Sequence, residues 1–445
     1  MKYRYFPFVL VTLCLIACSS EEQALYEQKP AFYSYIFGNV YQEKVDKETH
    51  ADVLSTPASC QKTVTALAAL KALGPDFQYE TKLYASKKEG VLQDVVIGFV
   101  GDPTLTSDDL TKLLSSIKGQ TVQGYILLDA SRFTTQVYSP NVMIDDMGSY
   151  YMPPVSSMNI DSNLFEVKMP PGPVGQLIKA SSDSPFAIDA KVTTAEEGDP
   201  LKIVWVGDRM KATGHVNPNE EMKPIMVSPK TIDTFALYKM QRVMDQLQIK
   251  GNIVIVKDRT KLPKDVGEVA SHRSIPLKDI LPPALKMSDN FVFDSLYLTM
   301  LHRFSKEAVI DDWAQGDAVM KALMKDHYGV DMEKALMVDG SGLSRYNRIQ
   351  PLMLFQVLKK GYEDKNFVNA LARPGEEGST LKNRTDLPEK LYAKTGGLMG
   401  VSCLCGYELE NPEDPKAFVV MVNGFAPTAK ELFQVIDPFI HKSLR

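Results

Sequence analysis

Three residue types that often build special sites are scarce in this chain of 445 residues, which has 5 cysteines, 6 histidines and 2 tryptophans. The histidines are scattered and no Cys/His spacing is of the zinc type, so no metal site is expected, and no cofactor. An excess of positive charge is missing too. Against 55 acidic residues stand 50 basic ones, for a net charge of -5 and a pI near 5.8. No basic cluster stands clear of interspersed acids, which sets nucleic-acid partners aside. The middle of the chain holds no internal repeat, no low-complexity tract and no transmembrane helix. What is there is an ordinary globular composition, 44% hydrophobic, with the length of two or three domains.

One apolar run has a telling position. Lys2 and Arg4 precede residues 6–17, a run too short and too terminal for a membrane span, and residues 1–17 read as an export signal. The run ends Leu15-Ile16-Ala17-Cys18, which resembles the cleavage box of bacterial lipoproteins, where the Cys becomes the lipidated first residue of the mature chain. On that resemblance Cys18 carries lipid, residues 18–30 form a polar tether, and several acyl chains hold the protein at a membrane. Ser19 after the Cys resembles the signal for transfer to the outer membrane, so the expected location is the periplasm, anchored to that membrane. Cys14 leaves with the signal. Of the remaining thiols, Cys403 and Cys405 at strand spacing point the same way about 7 Å apart, too far for an unstrained disulfide. A Cys60 bridge to either stays open.

Residues 31–36 and 39–44 read as a hairpin turning around Phe37-Gly38. A helix over 56–73 follows, then a strand over 77–84. From about residue 89 short strands and polar turns dominate, at 95–100, 124–129, 164–169, 187–193, 201–206 and 253–257, with one long helix at 230–247. Residues 89–261 therefore read as a mostly β insertion of one or two small domains. Helical patterns return at 277–287, 291–304, 317–327 and 351–361, then strands at 390–395, 401–409 and 417–422, and a last helix at 430–444. Residues 31–88 and 262–445 thus supply a sheet with helices around it, whose two parts meet across the insertion.

The stretch Thr56-Pro57-Ala58-Ser59-Cys60-Gln61-Lys62 opens the first helix. Thr56 suits the cap and Pro57 the first helical position, where its missing N–H has no intrahelical partner. Ser59 then lies in the first turn with Lys62 three residues on, on the same face, as a nucleophile and its base. A Ser hydroxyl is a poor nucleophile at neutral pH, and Lys serves as base when burial or a neighbouring cation favours its neutral form. Behind them Val64, Ala66, Leu67, Ala68, Ala69, Leu70, Ala72 and Leu73 are apolar on nearly every side, which predicts a buried helix stopped by Gly74-Pro75. Ser-x-x-Lys recurs at Ser115/Lys118 and Ser379/Lys382, but neither opens a long apolar helix. Two further elements are Ser288-Asp289-Asn290, between two helical segments, and Lys394-Thr395-Gly396, which occurs once and ends a strand with Gly397 next. Singly, the first reads as a helix cap and the second as a strand ending in a turn.

Together and in this order, the three elements resemble the motif set of class A β-lactamases and penicillin-binding proteins. The segments PASCQKTVTALAALKALGPDFQYET, HRSIPLKDILPPALKMSDN, VDGSGLSRYNRIQP and AKTGGLMGVSCLCGY look like successive signatures of the D-alanyl-D-alanine carboxypeptidase/endopeptidase family, the class C low-molecular-mass penicillin-binding proteins. The interval from Ser59 to Ser288 is far longer than a class A β-lactamase needs and resembles this family's inserted domains. The resemblance implies an α/β (α+β) serine β-lactamase/transpeptidase-like domain with an antiparallel sheet flanked by helices. It implies a penicillin-binding serine D-Ala-D-Ala carboxypeptidase or endopeptidase acting on peptidoglycan stem peptides through a Ser59 acyl-enzyme, with β-lactams as covalent inhibitors.

Roles follow from the resemblance residue by residue. Ser288 relays a proton to the leaving amine and Asn290 holds the substrate amide. Lys394 faces the substrate's terminal carboxylate and helps keep Lys62 neutral, and Thr395 hydrogen-bonds that carboxylate, with Gly396 and Gly397 completing the substrate edge. The backbone N–H groups of Ser59 and Gly397 take the oxyanion. The run from Tyr138-Ser139-Pro140 to Tyr150-Tyr151 resembles a segment that recognises the peptidoglycan side chain. There Asp146 matches a contact to the diaminopimelate amino group and Arg345 one to its carboxylate. Asp339-Gly340-Ser341-Gly342 reads as a tight loop from which Arg345 reaches the site. Departures from the family pattern are Cys60 beside the nucleophile, Gly397 where Thr is commoner, Asp294 where Glu is usual, and a short polar stretch where the family opens with a helix. Alternatives are a β-lactamase or esterase on the same scaffold, and a non-catalytic scaffold that binds stem peptides.

Overall fold

The computed structural model describes residues 31–133, 137–221, 223–305, 313–425 and 429–445. The expected export signal, Cys18 and the tether lie outside the described residues.

The chain enters through β1 (Phe32–Asn39) and β2 (Val45–Thr49). β1 runs straight through Phe37-Gly38, where a turn is expected from sequence. Gly38 is needed there for packing rather than turning, since a Cβ on it would stand 3.1 Å from the Phe355 ring. The next helix also differs from expectation. Residues Ala58–Gln61 form a 3-10 turn and the α-helix proper, α1, is Lys62–Leu73. Ala58 has φ +45°, an unfavourable value for a residue with a Cβ, and this breaks the regular helix just before Ser59. Thr56 is therefore no cap; its hydroxyl accepts from Arg348 Nη1 at 2.9 Å. The first nine residues of α1, Lys62 to Leu70, are all buried, as the all-round apolar pattern predicts.

β3 (Glu80–Lys88) is expected to end the first part of the split domain, but it pairs with β4 (Val91–Gly98) and β13 (Gly267–Arg273), inside the insertion's own sheet. The crossing point is the pair Tyr79 and Ser274, where Ser274 N–H donates to the Tyr79 carbonyl at 3.0 Å and Tyr79 N–H to Ser274 Oγ at 2.9 Å. The strands that pair in this sheet span residues 80–273, where sequence places the insertion at 89–261. Its first unit is built on a five-stranded sheet. The sheet has the order β12-β5-β4-β3-β13, with β5 (Thr121–Asp129) parallel to both β4 and β12 (Lys250–Val256). Helices α2 (Ser107–Leu114) and α3 (Ile232–Leu247) pack on one face of it through Leu110, Leu113, Met240 and Val243. α2 is missed from sequence although Thr106 and Asp109 form a capping box that marks its start. The second unit is β, with two three-stranded sheets. β6 (Phe165–Lys168), β7 (Ser181–Ser182) and β11 (Ile225–Val227) make one, and β8 (Ile188–Thr194), β9 (Lys202–Val206) and β10 (Arg209–Val216) the other.

On return the chain forms α4 (Leu277–Met287), α5 (Asn290–Phe304), α6 (Gln315–Tyr328), α7 (Pro351–Gly361) and α8 (Lys365–Ala370). Then come β14 (Leu391–Leu398), β15 (Val401–Glu408), β16 (Lys416–Asn423) and α9 (Ala429–Ser443). The main sheet is fully antiparallel, ordered β14-β15-β16-β1-β2. Alternate residues of its strands point to opposite faces. Cys403, Cys405, Val419 and Met421 pack with α1, α5 and α7, while Leu404, Phe418, Val420 and Val422 pack with Leu432, Ile436 and Phe439 of α9. A sheet covered by helices on both sides explains why β15 is buried at every position. Among the described residues no helix is long and apolar enough to cross a membrane.

Candidate active site

Three elements converge at the mouth of α1. The 3-10 turn supplies Ser59 and the first residue of α1 supplies Lys62. The joint between α4 and α5 supplies Ser288 and Asn290, and β14 supplies Lys394. That joint explains its own sequence. Ser288 closes α4 in the left-handed region, φ +62°, and Asp289 caps α5 by accepting from Val292 N–H at 3.2 Å. Ser288-Asp289-Asn290 is thus a helix joint with Asp289 as its cap, and it lies at the cleft beside Ser59.

Lys62 Nζ lies 2.9 Å from Ser59 Oγ, 2.6 Å from Asn290 Oδ1 and 2.7 Å from the Ser341 carbonyl. Lys394 Nζ lies 2.8 Å from Ser288 Oγ and 2.8 Å from the Thr395 carbonyl. Burial, the nearby Lys394 cation, and only partial compensation from Asp294, Asp339 and Asp289 bring the Lys62 pKa down to about 7. Burial likewise lowers Lys394, to about 8. Asn290 Nδ2 donates to the Tyr151 carbonyl at 2.7 Å, so the insertion fixes the orientation of its amide.

Close approach is what the glycines provide. A Cβ on Gly396 would meet the Pro57 carbonyl oxygen at 2.7 Å and Cys60 N at 3.1 Å, so β14 can run against the nucleophile's turn only with glycine there. Gly342, at φ +81°, presses in the same way on the Ala58 carbonyl. Gly397 has open space where a side chain would stand. The loop that reads as a plain tight turn is therefore a wall of the site. Its Asp339 accepts from Gly342 N–H and Asn347 Nδ2, both at 2.8 Å, and Asp294 accepts from the Gly340 and Ser341 N–H groups at 3.1 and 2.9 Å. Burial is the first cause that raises both carboxyls above the usual carboxylate range. Tyr151, Asp339 and Ser341 are not among the site residues expected from sequence. They act through backbone groups or second contacts, which no spacing rule reveals.

Two clefts meet at Ser59, Ser288 and Gly397. One, of about 640 Å³, is lined also by Asp146, Tyr151, Asn290 and Arg345; the other, of about 820 Å³, by Thr380, Arg384, Thr395 and Gly396. Asp146 Oδ1 accepts from Tyr151 OH at 2.7 Å, Arg345 Nη1 donates to the Met399 carbonyl at 3.2 Å, and Thr395 Oγ1 is 2.7 Å from Thr380 Oγ1. All ten expected residues other than Cys18 stand at or beside this double cleft. Cys60, Cys403 and Cys405 are buried free thiols behind it, with Cys60 Sγ donating to the Lys394 carbonyl at 3.3 Å. Among the described residues no group of three or more His, Cys, Asp or Glu side chains is arranged to hold a metal ion.

The fold is that of a penicillin-binding protein. It superposes on the crystal structure of penicillin binding protein 4 (dacB) from Haemophilus influenzae with a TM-score of 0.82 at 25% identity, over 95% of this chain and 99% of that one. A structure of that protein complexed with a novel β-lactam matches over the same shares, 95% and 99%, with a TM-score of 0.76 at 24% identity. In sequence the chain is similar to D-alanyl-D-alanine carboxypeptidase DacB of H. influenzae, 27% identical over 441 residues that cover 94% of this chain and 90% of that protein. The model of the D-Ala-D-Ala carboxypeptidase 3 (S13) family matches residues 24–439, and the chain belongs to that family. It is accordingly a hydrolase of the serine carboxypeptidase class.

Proposed function

We propose that this protein is a penicillin-binding D-Ala-D-Ala carboxypeptidase of the bacterial cell envelope that acts on peptidoglycan stem peptides through a Ser59 acyl-enzyme. The observation that carries the reading is the set of three contacts around Lys62 Nζ. A neutral amine has two N–H groups and one lone pair. Asn290 Oδ1 and the Ser341 carbonyl can only accept, so they take both N–H groups and leave the lone pair for the Ser59 hydroxyl. A lysine with its pKa near 7 supplies that neutral form at physiological pH.

Ser59 Oγ attacks the carbonyl carbon of the penultimate D-Ala while its proton passes to Lys62. The resulting oxyanion is held by the Ser59 and Gly397 N–H groups, and loss of one such donor lowers the rate roughly a hundredfold to a thousandfold. Ser288, 2.8 Å from Lys394 Nζ, passes a proton to the departing D-Ala nitrogen as the C–N bond breaks. Lys394 and Thr395 face the terminal carboxylate, and water then hydrolyses the ester. Asp146 and Arg345, in the other cleft, hold the amino and carboxylate groups of a diaminopimelate side chain. The same centre cuts D-Ala to diaminopimelate cross-links when the leaving amine belongs to a second stem, and the insertion at 80–273 limits which strands reach it. The Leu15-Ile16-Ala17-Cys18 sequence supports lipid attachment at Cys18 and an outer-membrane anchor. Labelled palmitate incorporated by the wild type and lost in Cys18→Ser tests the anchor.

A fluorescent penicillin tests the centre. The wild-type protein is labelled and Ser59→Ala is not; labelling that survives Ser59→Ala overturns the reading. Incubation with cross-linked and uncross-linked muropeptides, read by mass, separates endopeptidase from carboxypeptidase turnover.

A further inference from the structure

The inserted α/β unit has a second cavity, away from Ser59. α2 and α3 cover one face of its sheet, whereas the opposite face, bearing Tyr84, Val96 and Leu127, packs with Leu262 and Val266 of the loop after β12 and stands beside the end of α5. Strands that run parallel are ordinarily covered on both faces. Here the half-covered face leaves a cavity of about 770 Å³ between the insertion and the peptidase domain. That is the size of a small-molecule site.

Its chemistry is one-sided. Arg132 follows the carboxyl end of β5, Arg259 follows that of β12, and Arg303 comes from the last turn of α5; all three line the cavity. Crevices at the carboxyl ends of parallel strands are where α/β sheets bind ligands. None of the three arginines has a salt bridge among the described residues, although every one lies in the same chamber. The two lining carboxylates have partners of their own, and Asp129 only partly offsets the charge of Arg132. Glu80 faces Lys82 and Arg273 at 3.6 and 3.3 Å, and Asp129 accepts from Ser131 N–H and Oγ at 3.0 and 2.6 Å. Burial and then Arg259 hold the Arg132 guanidinium below its ordinary range, and burial, Arg132 and Arg259 do the same to His302. After burial, neighbouring like charges contribute to both shifts, and the three exposed arginines leave their guanidinium groups open to a bound anion. The apolar wall is aromatic: Phe77, Tyr79 and Phe99 line the cavity, and the Arg303 guanidinium stands 5.9 Å from the centre of the Phe77 ring.

We propose that this chamber is an anion-binding site, separate from the serine centre, for a small ligand that bears two or more carboxylate or phosphate groups on a partly apolar body. Arginine forks match both oxyanions, and three of them around one chamber select a ligand with more than one negative group. The proposal does not depend on the reading of Ser59.

Titration calorimetry of the full chain tests it with two probes, phthalate for carboxylates and inorganic pyrophosphate for phosphates. Binding by either probe is expected, weakening with added salt. It should fall at least tenfold in the pair Arg132→Gln/Arg259→Gln and stay within twofold of wild type in Arg209→Gln, an exposed arginine of β10 that lines neither this chamber nor the serine clefts. The probe that binds identifies the source of the anion. No binding of either probe, or binding indifferent to the arginine pair, overturns the proposal. So does binding lost equally in Arg209→Gln. If the double variant does not fold, Arg259→Gln alone, on an exposed loop, gives the same discrimination with an expected loss of at least threefold.

Discussion

Gly396 and the Pro57 carbonyl are in such close register that an alanine Cβ at 396 would stand 2.7 Å from that oxygen. The strand that carries Lys394 is thereby held against the turn that carries Ser59. Gly396→Ala should cost about 1–3 kcal/mol through overpacking and push β14 away from the turn. The penicillin acylation rate is expected to fall at least tenfold, measured beside the thermal midpoint. An acylation rate equal to wild type would show that the spacing is not critical.

The two lysines set the pH profile. Lys62 accepts a proton only when neutral, so turnover of a D-Ala-D-Ala peptide rises as pH passes through about 7. Lys394 serves a carboxylate only as a cation, so turnover declines as pH passes through about 8. A bell with its maximum between these values is expected for kcat/KM. Lys62→Arg, charged at every working pH, should lose at least a thousandfold in acylation with no recovery at high pH.

The buried Lys62 also leaves a mark on stability. Its folded-state pKa lies below the unfolded one, so the folded protein binds fewer protons and this group's contribution rises with pH between about 7 and 10.5. Lys62→Met should therefore gain most over wild type near pH 6, and the gain should shrink towards pH 9. Urea midpoints at the two pH values measure this; a gain that grows with pH contradicts it.

Asp146 and Arg345 lie in the cleft opposite Thr395, where they can affect side-chain recognition without touching acylation. Arg345→Ala is expected to lower kcat/KM for diaminopimelate peptides ten- to a hundredfold and to leave penicillin labelling within threefold of wild type. Equal losses on both substrates would assign Arg345 to the architecture of the cleft instead.

Arg384 and Asp437 form a buried ion pair that ties the loop before β14 to α9, with side chains only 6% and 4% exposed. Asp437→Ala leaves an uncompensated buried cation and should destabilise the fold by about 3–5 kcal/mol. Loss of midpoint stability in urea is the readout. A change under about 1 kcal/mol would mean that the pair is solvated in solution.

Much of the site was legible before the fold was known, because its parts are short motifs whose neighbours are sequential. Ser59 and Lys62 are three residues apart, and Ser288-Asp289-Asn290 is a helix joint as well as a motif. Tyr151, Ser341 and Asp339 were not legible, since their contributions are a backbone carbonyl, another backbone carbonyl and a loop-bracing carboxylate. The start of α1 is not visible in sequence because Ala58 takes φ +45°, a strained value for a residue with a Cβ. Which sheet β3 joins is not visible in one dimension: it alternates like any strand, and only its partners β4 and β13 decide it. The capping box at Thr106 and Asp109 is a local signal that was present and unused.

Local chemistry is what the chain's order of residues settles: an all-apolar helix behind Ser59, a lone Lys-Thr-Gly at a strand end, and glycines where backbones meet. These depend on spacing along the chain, which is visible in one dimension. The pKa of Lys62, the aim of its lone pair and the gathering of Arg132, Arg259 and Arg303 around one chamber depend on residues far apart along the chain. Burial and Coulomb fields act through space, so only the folded chain decides them.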